Sequence, residues 1–342
     1  MKLKFKAAAA VFLALMMTGC ANDHYTKDGG EITTSVIKEL PPEETATATA
    51  EVTEIIPEET TEETEAVPLM ITDREGNDIF VPDSVNTIIS ISPTVTELLE
   101  GLNIADRIIA ADKASAVVEN IDAAVCTIDR ATVTAEELAA MGADVVIADG
   151  TSSSETNAQL AVLKEMGIKV LFIPYSNSFS SIKLDIEFLA AYTGTVPRGD
   201  ELIKQIDEVL LEPSALSYSV PLKNVYFETS PAPSMQAAGS GTLFAEMLTL
   251  IGAGNICASQ TGYISPESAD IISADPDVII SNVHSTGYDT GEIAKRQGWR
   301  NIKAVKNGAV FSTASSIRPT HRITEYIQNL KELVYPEIYA VS

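Results

Sequence analysis

Apolar and polar positions alternate in blocks along the chain from Asp73 onward. Short runs rich in β-branched residues are separated by stretches with apolar positions every three or four residues, as in an amphipathic helix. This alternation is typical of a parallel sheet covered by helices. In the first half it predicts strands at 87–91, 107–111, 144–148 and 169–173 and helices at 93–102, 134–141 and 159–166.

The second half of the chain repeats this pattern. It predicts strands at 225–228 and 278–281 and helices at 243–251 and 266–273. In each half a hydroxyl residue precedes a short helix, and Glu136 or Glu267 occupies the second helical position, where a carboxylate favours the positive helix end. The glutamate lies eight residues before the aspartate that starts the next strand in the first half, and ten residues before it in the second. The repeat is therefore imperfect.

Two amphipathic helices are predicted between the halves. The second begins after Pro197 and ends before Pro213, and no Gly/Ser-rich hinge interrupts it. Such a helical connection resists large opening and closing of the halves. The sequence therefore predicts an α/β fold with two Rossmann-like lobes with parallel sheets, at 69–196 and 214–342, joined by a long rigid linker helix at 197–213.

The first twenty residues have the pattern of an export signal. Three lysines precede an apolar run at 7–17, which is too short to cross a bilayer stably. The small residues before Cys20 resemble a bacterial lipobox, in which the signal is cut before a cysteine that receives a diacylglycerol. We therefore expect a lipoprotein signal peptide at 1–20 and a lipidated Cys20; an ordinary cleaved signal is the alternative.

Negative charge is concentrated behind this signal. The 342 residues carry a net charge of −25, and residues 21–68 alone contain thirteen Asp and Glu against two Lys. Such a segment cannot bury enough apolar area to offset the entropy of ordering it, so 21–68 is predicted to be a disordered acidic tether. The acidic balance also argues against nucleic acid as a partner, because phosphate binding requires a basic face.

Five motifs occur in a fixed order in the globular part. They are TDREGN at 72–77, IISISPTVTE at 88–97, GAGN at 252–255, PDVII at 276–280 and AVKNGAV at 304–310. Together they resemble the class III substrate-binding proteins of ABC importers, the cobalamin- and iron-siderophore-binding type. The protein is expected to be a monomer, and its lipobox-like signal predicts that it is lipid-anchored to the outer face of the bacterial cell membrane. Its ligand would be held in the cleft between the lobes and delivered to an ABC permease and its ATPase.

The resemblance also implies where the permease docks. Glu136 and Glu267 match the acidic residue on each lobe that pairs with arginines of the permease dimer in this family. Exposed pairs of opposite charge contribute orientation more than affinity. The alternative is that both are helix-capping carboxylates without a partner, and Glu97 is a further docking candidate.

Ligands of open parallel sheets bind beyond the carboxyl ends of the strands. Arg130 and Tyr263 precede the helices that carry Glu136 and Glu267, where members of the family place cleft residues. The candidate ligand-binding residues are Ser92, Pro93, Arg130, Asp149, Tyr175, Met235, Tyr263, His284, Arg318, His321 and Arg322.

Three of these candidates concentrate positive charge. Arg318, His321 and Arg322 fall within five residues, and an anionic ferric siderophore or a tetrapyrrole with propionates would gain from them. In the alternative, Arg322 begins the final helix and pairs with Glu325. The expected ligand is an iron-siderophore, haem or cobalamin-type compound, and the scarcity of cleft aromatics does not favour cobalamin.

Other chemistry has less support. Only three histidines occur, too few for a His-rich metal site, so no metal centre and no cofactor are expected. The alternative functions are a surface-anchored hydrolase, with Asp149 and His284 as acid and base, and a non-transport adhesive lipoprotein. The hydrolase lacks a nucleophile beside an oriented base. The sequence therefore favours a binding protein over an enzyme, with Cys126 and Cys257 as buried free thiols.

Overall fold

The first half of the protein is built on a four-stranded parallel sheet. The computed structural model describes residues 69–284 and 288–339. The strands of this half are β1 (Met70–Thr72), β2 (Asp78–Phe80), β3 (Ile88–Ser90), β4 (Ile108–Ala111), β5 (Val145–Asp149) and β6 (Val170–Ile173). The sheet has the order β4-β3-β5-β6 with every pair parallel, which confirms the four predicted strands. β1 and β2 form a separate antiparallel hairpin that the sequence analysis did not predict.

The helices of this half start where short polar side chains cap them. They are α1 (Pro93–Gly101), α2 (Ala135–Ala140), α3 (Ser154–Glu165), α4 (Phe179–Thr193) and α5 (Val196–Leu210). Thr134 and Glu137 form the capping box of α2. α3 begins five residues earlier than predicted, because the Ser153 side chain accepts a hydrogen bond from Thr156 N and caps the helix there. α5 packs against α4 and carries the chain into the second half.

The second half has a mixed sheet. Its strands are β7 (Asn224–Ser230), β8 (Gln236–Ala238), β9 (Gly254–Asn255), β10 (Tyr263–Ile264), β11 (Val278–Ser281) and β12 (Val310–Ser312). The order is β10-β8-β7-β11-β12, and β9 also pairs with β7. β7, β11 and β12 are parallel, whereas β8 is antiparallel to β7 and to β10. Only five residues connect β7 to β8, too few for the crossover that a parallel pair needs.

The helices that cover this sheet are mostly short. They are α6 (Leu243–Leu250), α7 (Ser268–Ala274), α8 (Gly291–Lys295), α9 (Lys303–Lys306), α10 (Ile323–Val334) and α11 (Pro336–Tyr339). The predicted start of α7 at Pro266 is wrong, because Glu267 is its N-cap residue. No helix within the described ranges has the length and apolar character needed to cross a bilayer.

The repeat of the two halves is visible at one backbone anchor. Asp144 N donates to Thr87 O over 3.0 Å, and Asp144 Oδ2 accepts from Thr87 N over 2.9 Å. In the second half Asp277 N donates to Asn224 O over 2.8 Å, and Asp277 Oδ2 accepts from Asn224 N over 2.9 Å. Each aspartate thus ties the start of one central strand to the start of its neighbour.

Apolar packing covers both faces of each sheet. Ile88 and Ile89 are fully buried in two different clusters on opposite faces, as expected for the near-continuous apolar strands of a parallel sheet. The largest cluster contains residues of both halves, among them Leu99 and Phe227. All described residues fall within one compact unit, so the two halves share a common interior.

Candidate ligand-binding site

The loops at the carboxyl ends of β3 to β6 form what we call the first rim. Asp149, the last residue of β5, is 4% exposed and accepts hydrogen bonds from Ser92 Oγ (2.6 Å), Thr151 Oγ1 (2.6 Å) and Thr151 N (3.0 Å). Ser92 also caps α1 by accepting from Val95 N, and Pro93 beside it is half-buried. The Asp149 carboxylate is therefore held in place by uncharged donors.

Arg130 joins this network from the loop before α2. Its Nε lies 3.2 Å from Asp112 Oδ2, and its Nη1 lies 3.4 Å from Thr151 Oγ1. Burial raises the pKa of Asp112, although the hydrogen bond from Ser115 and the charge of Arg130 oppose that shift. Arg130 thus lies at the predicted rim, with its charge opposed by a buried carboxylate.

The second rim comprises the loops at the carboxyl ends of β7, β11 and β12. Glu228, fully buried near the end of β7, makes a bidentate pair with Arg296 at 2.5 and 2.9 Å. Tyr288 Oη donates to the same carboxylate over 2.7 Å. The Arg296 guanidinium stacks 4.6 Å from the Trp299 ring and lies 3.4 Å from Met235 Sδ. Met235 was predicted, but Glu228, Tyr288 and Arg296 were missed. Their only sequence signal is an acidic residue near the end of an apolar strand.

Two cavities open beside this cluster and share Tyr288. One, of about 410 Å³, is lined by Pro231, Ala232, Tyr288, Glu292, Lys295 and Arg296. The other, of about 480 Å³, is lined by Val283, His284, Tyr288, Asp289, Thr290 and Ser312. His284 Nε2 hydrogen-bonds Thr313 Oγ1 over 2.9 Å, and burial lowers the pKa of this imidazole. His284 and Asp149 are on different rims and do not contact each other, which leaves the proposed acid and base without a common site.

Two predicted tyrosines bridge the two halves. Tyr175 follows β6 in the first half, Tyr263 lies in β10 of the second, and their hydroxyl oxygens are 2.9 Å apart. Both side chains remain accessible, at 45% and 42% exposure. The Tyr263 ring packs edge-on against Phe244, which fixes its direction. The structure therefore brings together two candidates that are 88 residues apart in the chain.

A second bridge lies at the predicted cationic cluster. Glu97 of α1 is fully buried and accepts from Arg318 Nη2 (2.9 Å), Arg318 Nε (3.1 Å) and Thr320 Oγ1 (2.8 Å). Glu97 is therefore inaccessible to a permease, and its prediction as a docking residue is wrong. The guanidinium of Arg318 has a protein partner in place of the anionic ligand expected from the sequence.

The other two cations of this cluster also have protein neighbours. Arg322 is the N-cap residue of α10 and pairs with Glu325 (2.7 Å) and Glu119 (3.3 Å), as in the alternative stated above. His321 Nε2 lies 3.6 Å from Glu100, and its ring packs directly on Gly101, where a Cβ atom would collide with it. Burial lowers the pKa of His321.

A cavity of about 620 Å³ lies between the halves near the tyrosine bridge. Asn177 and Ser178 line it from the first half, and the turn at 240–242, Ala245, Glu246, Thr249, Asn255 and Ala258 from the second. Glu246 Oε2 accepts from Phe179 N over 2.7 Å across this boundary. Because β8 is antiparallel to β7, the turn after β8 lies at the amino end of β7. This cavity therefore extends sideways from the first rim, away from the second.

Two rim hydroxyls are buried without a hydrogen-bond partner in the described part of the chain. Ser152 Oγ lies in the loop after β5, and Thr229 Oγ1 lies near the end of β7. Buried polar groups are normally paired, so such atoms identify places where a ligand can supply the missing partner. Thr229 carried no sequence signal beyond its place directly after the predicted strand at 225–228.

The two docking candidates are exposed, and neither carboxylate contacts a cation within 69–284 and 288–339. Glu136 is in the first turn of α2, whereas Glu267 is the N-cap of α7. Measured from the N-caps, Thr134 and Glu267, the strand aspartate follows after ten residues in both halves. The two-residue difference in the repeat is therefore a shift of the glutamate along its helix.

Several predictions concern residues at other places. The signal peptide, Cys20 and the tether at 21–68 lie outside the described residues. Cys257 is buried and Cys126 half-buried, and both are free thiols. No group of three potential ligands that could hold a metal ion occurs in the described ranges.

Comparisons with known proteins agree with this architecture. The model of the periplasmic binding protein family matches residues 88–316. YvrC of Bacillus subtilis, an uncharacterized ABC transporter substrate-binding lipoprotein, is 27% identical over 81% of this chain and 88% of its own. A vitamin B12-binding protein of Vibrio parahaemolyticus is 23% identical over 70% of this chain and 86% of its own.

A solved structure gives the same result. It is a possible iron-binding (periplasmic solute-binding) protein of Staphylococcus epidermidis, with a TM-score of 0.61 at 26% identity, covering 74% of this chain and all of that chain. The match extends through both sheets and confirms the predicted fold of class III binding proteins. From the family model, which spans more than half of the sequence, the chain belongs to the periplasmic binding protein family.

Proposed function

We propose that this protein is the extracytoplasmic substrate-binding component of an ABC importer and holds an iron-siderophore, haem or cobalamin-type compound between its halves. Membership of the family supports the transport role, and relatives named for vitamin B12 and for iron support this class of compound. The protein binds its guest without chemical change and passes it to a permease and its ATPase.

The observation that carries this proposal is the meeting of the two halves at Tyr175–Tyr263 and at Glu97–Arg318. These two contacts between the halves fix the distance between the rims. The guest occupies the space between them, where Ser152 and Thr229 offer unpartnered hydroxyls. A lobe at 69–196, a linker at 197–213 that includes most of α5, and a lobe at 214–342 complete the arrangement.

The same role accounts for the membrane anchor and for the docking residues. Cys20 carries the lipid, and residues 21–68 connect this anchor to the binding domain just off the membrane. The lipoprotein name of YvrC supports the anchor. Glu136 and Glu267, exposed on α2 and at the start of α7, orient the loaded protein on the permease.

Calorimetric titration of the detergent-solubilised protein with a ferric siderophore, haem and cyanocobalamin tests the proposal, together with mass spectrometry of any compound that co-purifies. At least one compound should bind. Ser152→Ala and Thr229→Val should weaken that compound several-fold, whereas Ser217→Ala, an exposed hydroxyl beyond the linker, should not. The absence of heat with all three compounds, or a chemically altered product, contradicts the proposal.

A further inference from the structure

Positive charge at both rims is already neutralised by the protein. Six of the eighteen lysines and arginines at 69–342 lie on rim loops or at the end of α8, which leads from one. Each has a carboxylate partner: Lys113–Asp129, Arg130–Asp112, Lys295–Glu292, Arg296–Glu228, Arg318–Glu97 and Arg322–Glu325. A guest therefore meets no uncompensated cation there.

The two most buried of these cations are the least available to a guest. The side chains of Arg296 and Arg318 are 12% and 13% exposed, and their partners Glu228 and Glu97 are fully buried. An anionic guest that recruited either arginine would take the closest, hydrogen-bonded counterion from a buried carboxylate, which is strongly unfavourable. These arginines position the rims and do not receive the guest's charge.

Carboxylates remain in excess at the same place. Asp149 accepts only from hydroxyl and amide donors, and Asp289 lines the cavity beside His284. Residues 285–287 are Ser, Thr and Gly, so they add no charge. The space between the rims is therefore neutral to negative.

The cations without a carboxylate partner in the described ranges lie at the opposite edges of the sheets. Arg107 and Lys169 directly precede β4 and β6, and Lys306 is the last residue of α9, before β12. The other two are Lys164, at the end of α3, and Arg300, just before α9. The amino edges of the sheets thus carry the available positive charge, away from the rims.

We infer that the cleft selects an uncharged or cationic guest and rejects polyanionic chelates. This inference rests on the proposed function and narrows its class of substrate. Recognition then depends on hydroxyl, amide and aromatic contacts, with the excess carboxylates repelling a guest of the same sign.

The test compares ferric complexes of different charge and similar coordination. Titrations use a trianionic tris-catecholate, a neutral ferrichrome-type tris-hydroxamate and a cationic ferrioxamine, with cyanocobalamin as a fourth probe. We expect at least tenfold tighter binding of one uncharged or cationic probe than of the trianion, persisting in about 0.5 M salt, where long-range repulsion is screened. Tighter binding of the trianion, or loss of the preference in salt, overturns the inference and leaves the proposed function intact. No binding of any probe overturns the proposed function as well.

Two variants, each of which removes the carboxylate partner of one lysine, provide a second test and its matched control. Glu292→Gln frees Lys295 beside the cavity at Arg296, and Glu208→Gln frees Lys204 on α5, away from both rims. Both ion pairs are exposed, so neither change affects folding appreciably. Glu292→Gln should strengthen binding of the trianionic complex several-fold, and Glu208→Gln should not. Equal effects of the two variants overturn the inference, because the discrimination would then come from net charge alone.

Discussion

The carboxylate of Glu97 in the first half accepts two hydrogen bonds from the guanidinium of Arg318, which lies 221 residues further along the chain in the second half. Thr320 donates to the same carboxylate, and all three residues are buried or nearly so. The contact joins α1 to the loop after β12, so it fixes how the two rims meet.

Breaking this pair should be far more damaging than breaking an exposed one. Arg318→Met removes two hydrogen bonds from the buried carboxylate of Glu97 and leaves Arg322, 3.8 Å away, as the nearest cation, so we expect the free energy of unfolding to fall by about 3–5 kcal/mol. Lys204→Met removes the exposed partner of Glu208 and should change it by less than about 1 kcal/mol. Urea unfolding of both variants measures the difference. Equal losses would show that Glu97 and Arg318 do not stabilise the junction.

The tyrosine bridge should couple measurably across the halves. Because both hydroxyls are accessible to water, we expect Tyr175→Phe and Tyr263→Phe to show an interaction energy of about 0.5–1 kcal/mol in a double-mutant cycle. Urea unfolding of the two single variants and the double variant gives this energy. Strictly additive effects would show that the hydrogen bond contributes nothing to holding the halves together.

His321 should make stability depend on pH. Burial lowers its pKa in the folded protein below the unfolded value near 6.5, while Glu97, Glu100 and Glu325 oppose that shift and Arg322 adds to it. The neutral imidazole therefore contributes stability that is present above pH 6.5 and is lost as the pH falls through the folded pKa. We expect the free energy of unfolding to fall less in His321→Gln than in the original protein when the pH is lowered from 7 to below the folded pKa of His321. Urea unfolding at a series of pH values measures this difference.

Other groups with shifted pKa values also make stability depend on pH, but they are the same in the two proteins being compared. Burial also lowers the pKa of His284 and raises that of Asp112 and Asp185. The histidine adds to the loss on acidification, whereas the two raised aspartates favour the folded state at low pH. All three are unchanged in His321→Gln, so parallel curves for the two proteins would exclude His321 as a source of the pH dependence.

Docking and binding should be separable. Because Glu136 and Glu267 are exposed and lie at helix starts away from the rim hydrogen bonds, their double replacement by Ala should leave ligand affinity unchanged and reduce uptake at least tenfold. Glu165→Ala, an exposed acidic residue at the end of α3, serves as the control and should retain uptake. Calorimetry and cellular uptake of labelled ligand provide the two measurements. Parallel loss of affinity and uptake would mean that the glutamates support the fold.

Local signals predicted most of the helices and central strands. The capping box of Thr134 and Glu137, the glycine at 194 that ends α4 with φ of 74°, and the apolar runs of β5 and β11 all depend on residues only a few positions apart. The position of Tyr175 beyond β6 followed from the rule that ligands meet the carboxyl ends of parallel strands.

The same reasoning could not find the partners that decide the site. Arg318 looked available because its partner, Glu97, is 221 residues away, and Glu97 looked exposed because its burial comes from the other half. The pairing of Glu228 with Arg296 and the unpartnered hydroxyl of Thr229 also depend on how loops from different strands meet.

The sequence by itself therefore determined the alternation of strands and helices, the division into two related halves and the acidic segment at 21–68, because each depends on composition or on neighbours along the chain. Only the tertiary structure decided which charges remain available at the rims. Ion pairs form between side chains that folding brings within about 4 Å, and distance along the chain does not predict that proximity.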